Sequence, residues 1–426
     1  MARICLGIYL WLVAIMVPSI VIYAIAWLGI AGWTYLLFFH NRFWYGRGNL
    51  PRDLPKLKTW PSVVAVVPAR DEAPTIRACV KSLMAQNYPG IFSVIFVDDA
   101  STDGTGDIVR SAIEQNEGSR TQIDGSGGIN HTIIIPAPPL TDGWTGKLSA
   151  LNAGLSYTNA HQESPEYIWF TDADVVHPPK TLSRLIAKAV HERLDLTSLM
   201  VRLRCISFWE RLLIPTFIYF FQMLYPFPAV NNPSSRVAAA AGGCILLRRE
   251  SLNASGGLES ISSALIDDCA IAKLIKRSGG RLWLGLADGS KSLRANESLK
   301  PLWAMIRRTA FSQLKYSPLL LVLTVLAMTL IFLSPPALLL SFPLHGNSLA
   351  SFLGLVSWVA MAVSYSPTLV DYGRHRWEGL ILPLAAALYT FMTVDSAVAH
   401  GRHRGGQWKG RHYGPSAEPG NLSEFS

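Results

Sequence analysis

The sequence predicts an α/β domain with a mostly parallel central sheet, set between N-terminal and C-terminal transmembrane helices. Three observations carry that prediction. Half of the 426 residues are hydrophobic and only 16% are charged, a balance too apolar for an ordinary soluble chain. The apolar residues gather at the two ends, while residues 61–300 have a globular mixture. Within that middle, short apolar runs alternate with segments of helical spacing, the pattern of parallel strands joined by helices.

The ends come first. From Cys5 to Phe39 no residue is charged, and about 20 apolar residues span a bilayer as a helix. Ala24-Ile25-Ala26 resembles a signal-cleavage site, but the apolar run continues well beyond the length of a signal core. Pro18 is placed to kink this segment. Three further apolar stretches, Leu319–Leu344, Leu349–Val370 and Gly379–Ala399, fill the C-terminal quarter. The expected organisation is an anchor over 1–40, a basic linker over 41–60, the α/β domain over 61–300, an interfacial segment over 301–317, a membrane region over 318–400 and a basic tail over 401–426. Arg42, Arg47, Arg52, Lys56 and Lys58 follow the anchor, so the positive-inside rule places the α/β domain on the cytoplasmic side of the inner membrane. The tail conflicts with that rule if Gly379–Ala399 crosses fully. Pro383 and Asp395 within the stretch leave a re-entrant or interfacial course open.

The net charge of +9 raises the question of nucleic acid. The basic residues stand mainly beside apolar spans and no recognition-helix or zinc spacing is present. Anionic lipid headgroups account for the charge, and no nucleic-acid partner is expected. The five cysteines (Cys5, Cys79, Cys205, Cys244 and Cys269) have no paired spacing, as befits free thiols in a reducing compartment.

In the middle, Pro61–Val67 is a nearly continuous β-branched run, as a strand buried on both faces would be. The turn 68-PARDEAPT-75 ends it and a helix follows over Ile76–Gln86. A second strand, Val94–Val97, stops at 98-DDASTDGT-105 before a helix over Ile108–Glu114. Residues 115–131 read as a long polar loop, Thr132–Ile135 as a third strand, Lys147–Ser156 as a helix and Tyr167–Phe170 as a fourth strand. Sheets of this kind bind ligands at the carboxyl ends of their strands. Three acidic turns, 71-DE-72, 98-DD-99 and 172-DAD-174, fall there, without a Gly-rich dinucleotide or P-loop pattern. Carboxylates do not meet phosphate directly, so a base, a ribose or a bridging metal is implied.

Each acidic site has a bland reading and a functional one. Asp103 can cap the helix after it, whereas adjacent Asp98 and Asp99 at the end of an apolar strand need a hydrogen-bonding or cationic partner. Asp172 and Asp174 form an ordinary turn, or they share one Mg²⁺ or Mn²⁺, which takes oxygen ligands and completes its shell with water and substrate phosphates. Asp267 and Asp268 open a helix. They favour its N-terminal dipole, or one of them is a general base tuned by burial. A haloacid-dehalogenase-type membrane phosphatase would use Asp172 as nucleophile, yet two acidic strand–turn units precede the motif and would then have no role. A transfer from a nucleotide-sugar uses all three. The uncharged aromatic run Leu212–Pro228 is either a buried core helix or an interfacial segment. In the second case Phe220 and Phe221 lie on the side of a lipid acceptor.

Taken in order, 66-VVPARDE-72, 97-VDDASTDGT-105, 143-GWTGKLSALNAGL-155, 171-TDAD-174, 242-GGCILLRRESLNASGGL-258 and 266-IDDCAIA-272 resemble the inverting family-2 glycosyltransferases of GT-A fold. The stretches 196-LTSLMVRLRCISFWERLLIP-215, 225-YPFP-228 and 313-QLKYSPLLL-321 are similar to the hopene-associated glycosyltransferases of bacterial hopanoid synthesis. The tail's 408-WKGRHY-413 is similar to membrane transferases acting on polyisoprenoid lipids. The resemblance implies a GT-A catalytic domain and a UDP-sugar donor met by Pro68, Arg70, Glu72, Asp98, Asp99 and Lys147. It also implies a metal-bound diphosphate at Asp172 and Asp174, a base at Asp268 beside Asp267, and an acceptor wall at Gly242 and Gly243. The acceptor is expected to be a hopanoid or polyisoprenoid lipid, with a sphingolipid-like lipid or a polysaccharide as the alternative. Two departures stand out: the family's usual Glu-Asp at the base is Asp267-Asp268, and its Q-x-x-R-W is 313-QLKY-316. Gln313 and Lys315 are then the remaining candidates for a diphosphate clamp.

Overall fold

The structure, a computed structural model, describes residues 19–45, 48–53, 55, 57–117, 131–161, 164–402, 407–408 and 411–412. The expected kink at Pro18, most of the loop 115–131 and most of the tail lie outside them. The chain divides into two compact units, one of Arg47–Ile206 with Phe227–Glu297, the other of the N-terminal helix with Ser207–Pro226 and Ser298–Ala399. The aromatic segment expected inside the α/β domain therefore groups with the apolar helices.

The first unit is built on one sheet of eight strands: β1 (Val63–Ala69), β2 (Phe92–Asp98), β3 (Thr132–Pro136), β4 (Tyr167–Phe170), β5 (Val175–Val176), β6 (Leu196–Arg202), β7 (Ile245–Arg248) and β8 (Leu282–Ser292). Their order across the sheet is β3-β2-β1-β4-β7-β6-β8-β5. The pairs β1–β2, β2–β3, β1–β4 and β6–β8 are parallel, and β7 runs antiparallel to both β4 and β6. The sheet is mostly parallel, as the continuous apolar runs predict, with two reversed strands, β7 at its centre and β5, antiparallel to β8, at its edge.

Every residue of β1 and of β4 is buried, which explains why both read as unbroken apolar runs rather than alternating ones. Pro68 sits in β1 although proline cannot donate to a ladder. The pairing with β4 ends opposite Val66, so at Pro68 the strand has a partner on the β2 side only. The helix Gly146–Ala160 lies close against β1 because Gly154 has no side chain; a Cβ there would come within 2.4 Å of Val66 Cγ1. Part of the expected linker is docked on this unit: Asn49 bridges to Leu286, and Arg184 donates to the Leu50 carbonyl at 2.6 Å.

Among the described residues the second unit holds four helices long and apolar enough to cross a membrane, Ser19–Phe39, Pro318–Leu340, Ser348–Asp371 and Arg376–Gly401. With them packs the helix Phe208–Leu224, started by a capping box between Ser207 and Glu210. Its hydroxyl-bearing side chains find partners within the unit: Thr216 with Tyr365 at 3.0 Å and Tyr219 with Ser364 at 2.7 Å. Asp395, the acid that made the last apolar stretch doubtful, is not left alone. It accepts from Trp303 Nε1 at 2.8 Å and lies 3.4 Å from Arg307 Nε, both on the helix Leu299–Gln313.

Candidate active site

The first two acidic turns form a mutual bracket at the carboxyl ends of β1 and β2. Asp71 accepts from Thr102 N–H at 2.8 Å and Asp98 from Ser101 N–H at 3.1 Å. Asp103 accepts from Ala73 N–H at 2.9 Å and from Thr105 N–H at 3.0 Å, at the first residue of the helix Thr105–Glu117. The bland reading of Asp103 as a capping residue matches what it touches. Asp99 is buried and its carboxylate lies 3.6 Å from Arg70, which also donates to the Asp99 carbonyl at 2.5 Å.

The third turn is different. After β4 the chain turns over Thr171–Asp174, and its two aspartates are held by different cations. Asp172 Oδ1 lies 2.8 Å from Lys147 Nζ, while Asp174 Oδ2 lies 3.4 Å from Arg294 Nε and accepts from the Ser292 hydroxyl. Their surroundings differ as well: the Asp172 side chain is 35% exposed and that of Asp174 only 8%. Mutual repulsion between the acids is thus relieved by two protein cations.

Behind the turn sits a buried polar layer. Thr171 donates to the Gly243 carbonyl at 2.9 Å and pairs with His177 Nε2 at 2.9 Å, and His177 Nδ1 meets Ser290 at 2.9 Å. Burial pushes the His177 pKa down to about 3, so the ring is neutral and serves as a fixed strut. Neither His177 nor Arg294 was marked by sequence pattern. His177 stands within the conspicuous stretch 167-YIWFTDADVVHPP-179, but the partner that gives it meaning, Ser290, is more than a hundred residues away.

Lys147, at the start of the helix Gly146–Ala160, joins this turn to the downstream acids. Its ammonium lies 3.1 Å from Asp267 as well as 2.8 Å from Asp172. Burial alone would lower its pKa, but Asp172 and Asp267 outweigh that and hold it above the usual lysine value. Asp268, in the first turn of the helix Asp267–Arg277, accepts from Gly242 N–H at 2.9 Å and from Cys269 N–H at 2.7 Å. Burial, then the neighbouring charge of Asp267, raise its pKa to about 6 against the opposing pull of Lys147. Gly242 leaves room for both groups. A Cβ there would stand 3.1 Å from Lys147 Nζ and 3.4 Å from Asp268 Oδ2, crowding both. Gly243 instead presses on Val201, with a Cβ position 2.6 Å from Val201 Cγ2.

The oxygen-only donors of this turn suit Mg²⁺ or Mn²⁺. Among the described residues no cluster of three or more His, Cys, Asp or Glu side chains forms a complete metal cage. These ions commonly need only one or two carboxylates besides phosphate and water, so the half-exposed Asp172 fits such an ion. Asp174 fits if Arg294 yields its place.

The remaining candidates belong to the helical unit. Phe220 packs edge-on against Phe332 and Tyr389, with centroids 5.3 and 5.2 Å away, and Phe221 lies 5.2 Å from the Tyr225 ring. Gln313 donates to the Tyr225 hydroxyl, and Lys315 has a left-handed backbone, φ 51°, just after the helix ends.

The family model described as Glycosyl transferase family 21 matches residues 11–414. A probable glycosyltransferase of Bacillus subtilis (strain 168), YdaM, is 31% identical over 112 residues, 26% of this chain. The match spans only 23% of that relative's length. Among solved structures, the mannosyltransferase PcManGT from Pyrobaculum calidifontis, in complex with GDP-Man and Mn²⁺, superposes with a TM-score of 0.51 at 19% identity, covering 90% of this chain and 98% of that one. At that identity the likeness speaks for the fold alone, and the fold is GT-A. Glucosyl-3-phosphoglycerate synthase from Mycobacterium tuberculosis, in complex with Mn²⁺ and UDP-glucose, is 18% identical over 60% of this chain and 78% of its own, but its TM-score of 0.36 adds nothing to that assignment.

Proposed function

The chain belongs to glycosyl transferase family 21, and from that premise we propose that it moves a sugar from a UDP-sugar to a hydroxyl of a lipid, with inversion at the anomeric carbon. The observation that carries this reading is the position of Lys147. One half-buried ammonium touches both Asp172 of the donor turn and Asp267 beside the candidate base, so the place of the leaving group and the place of the nucleophile share one cation.

Asp268 removes the proton from the acceptor hydroxyl. With a pKa near 6 it is ionised at neutral pH yet basic enough to take that proton. The freed oxygen attacks the anomeric carbon from the face opposite the diphosphate. The bond from that carbon to the diphosphate oxygen breaks, and its electron pair leaves with the nucleoside diphosphate. Asp172 and Asp174 would hold a divalent cation, Mg²⁺ or Mn²⁺, which would supply charge compensation for the diphosphate; the Mn²⁺ complex of the Pyrobaculum calidifontis mannosyltransferase supports that part of the reading. Pro68, Arg70, Glu72, Asp98 and Asp99 frame the nucleoside side, and Gln313 with Lys315 is assigned to the diphosphate on resemblance alone. Gly242 and Gly243 border the acceptor.

We place the enzyme in the inner membrane as a multi-pass protein with its catalytic unit facing the cytoplasm, from the four apolar helices and the basic flank after the first. Phe220 and Phe221 are both assigned to the acceptor side, from the uncharged aromatic run that holds them. A hopanoid or polyisoprenoid acceptor follows from resemblance, with a sphingolipid-like lipid as the competing choice. Membranes containing the protein, incubated with a panel of UDP- and GDP-sugars and these lipids, are expected to yield a glycolipid of inverted anomeric configuration by mass spectrometry and NMR. Release of inorganic phosphate without any glycolipid would return the phosphatase reading to favour.

A further inference from the structure

Arg294 stands just past the end of β8 and is a charged residue of the catalytic unit for which the sequence offered no role. Its Nη2 donates to Glu72, in the turn after β1, and its Nε lies 3.4 Å from Asp174. The two carboxylates are nearly buried, at 10% and 8% exposure, while the Arg294 side chain is 44% exposed. Glu72 is itself fixed, its N–H donating to Thr105 Oγ1 at 2.8 Å and its carboxylate accepting from Thr75 at 3.3 Å. The segment before Arg294 wraps Asp174: Leu293 N–H donates to the Asp174 carbonyl at 2.8 Å and Ser292 to its carboxylate. Arg294 therefore has one firm hold, at Glu72, and one longer contact, at Asp174.

We propose that Arg294 is a donor-binding residue that pivots on Glu72. It neutralises Asp174 while the donor is absent, and it transfers that contact to the donor's diphosphate when the nucleotide and a divalent cation arrive together.

Three physical points support the pivot. A guanidinium is charged at every working pH, so it competes with any cation for Asp174 whatever the conditions. Two cations on one carboxylate oxygen repel, so occupancy of Asp174 by an ion expels Nε, while the Glu72 contact keeps the side chain from leaving. A guanidinium carries five N–H donors in a planar fork suited to phosphate oxygens, more than its two carboxylate contacts here require.

This inference rests on the nucleotide-sugar reading given above. Its test is direct Mn²⁺ binding by electron paramagnetic resonance on the full-length protein in detergent, with and without UDP. Arg294→Gln is expected to bind Mn²⁺ alone more tightly than wild type, because a competitor is gone. The same variant should bind Mn²⁺ with UDP about tenfold more weakly, the worth of one charge-assisted hydrogen bond. Arg294→Lys, the variant more certain to fold, should restore the weak binding of Mn²⁺ alone but only part of the affinity with UDP. Opposite signs in the two measurements support the pivot. Loss in both, gain in both or no change in either overturns it and leaves the donor reading standing. Wild type that binds Mn²⁺ neither alone nor with UDP overturns the pivot and the cation-dependent donor site together.

Discussion

Two groups of carboxylates at the ends of the strands are held in contrasting ways. In the bracket formed after β1 and β2, Asp71, Asp98 and Asp103 spend themselves on backbone N–H groups at 2.8–3.1 Å, which fixes two turns against each other. Around Lys147, by contrast, Asp172 and Asp267 share a single ammonium and Asp268 lies behind them with its pKa raised to about 6. Asp268 also accepts two backbone N–H groups, from Gly242 and Cys269, so it is the shared ammonium, not backbone hydrogen bonding, that sets the second group apart. Acids gathered in excess around one cation hold charge that is easily displaced, and such surplus is what proton transfer and charge compensation draw on.

The largest effect tests that distinction directly. Asp268→Asn keeps the shape and removes the proposed base, so transfer should fall by about 10²–10⁴-fold, the usual contribution of a positioned general base. UDP binding, measured by calorimetry, should hardly change. Full transfer by this variant would end the base assignment.

Next come the groups that tune Asp268. Because only the ionised form accepts a proton, kcat/KM of the wild type should rise with pH through about 6 and then level off. Lys147 lowers the Asp268 pKa and Asp267 raises it. Lys147→Met should therefore move that acid limb to higher pH, and Asp267→Asn should move it to lower pH. A pH profile unmoved by either variant would show that the limb belongs to another group. A smaller loss is expected for Gly242→Ala, where a methyl 3.1 Å from Lys147 Nζ displaces the ammonium without removing it. A shift of well under 1 Å at such a site costs about tenfold in kcat.

How much of this was legible in the sequence follows from how each part is stabilised. Strands β1, β2, β3 and β4 read clearly because three of them are almost wholly buried and so spell continuous apolar runs. The far half of the sheet did not. β5 has two residues, β7 has four and runs against its neighbours, and β8 carries glycine and aspartate along its outer half. Such strands are specified by partners distant in sequence, which local pattern does not reveal. The same holds within the site. Asp98, Asp172 and Asp268 stand at strand or helix ends and were marked by their type and place. Arg294 acquires its meaning only from Glu72, 222 residues away. The aromatic helix Phe208–Leu224 left two readings open because its surroundings, not its composition, decide between interface and core. Its ring contacts and hydroxyl pairs join it to the apolar helices.

The smallest effect is the most discriminating for the contrast between scaffold and surplus acids. Asp103 lies five residues from Asp98 in the same loop, carries the same charge and is the more exposed of the two. Nothing in its type separates it from a donor ligand. Its place does: its carboxylate bridges the backbone N–H groups of Ala73 and Thr105, tying the turn after β1 to the start of a helix, whereas Asp172 and Asp267 share the Lys147 ammonium. Asp103→Ala leaves those N–H groups to water, so it should cost about 1 kcal/mol, as loss of a helix cap does, and lower the thermal midpoint of the detergent-solubilised protein. At saturating donor, kcat should remain close to that of wild type, since the variant alters no group around Lys147. If kcat instead fell as far as in the Asp268 variant while the midpoint stayed put, Asp103 would belong with the reactive acids, and its hydrogen bonds would be a poor guide to its function.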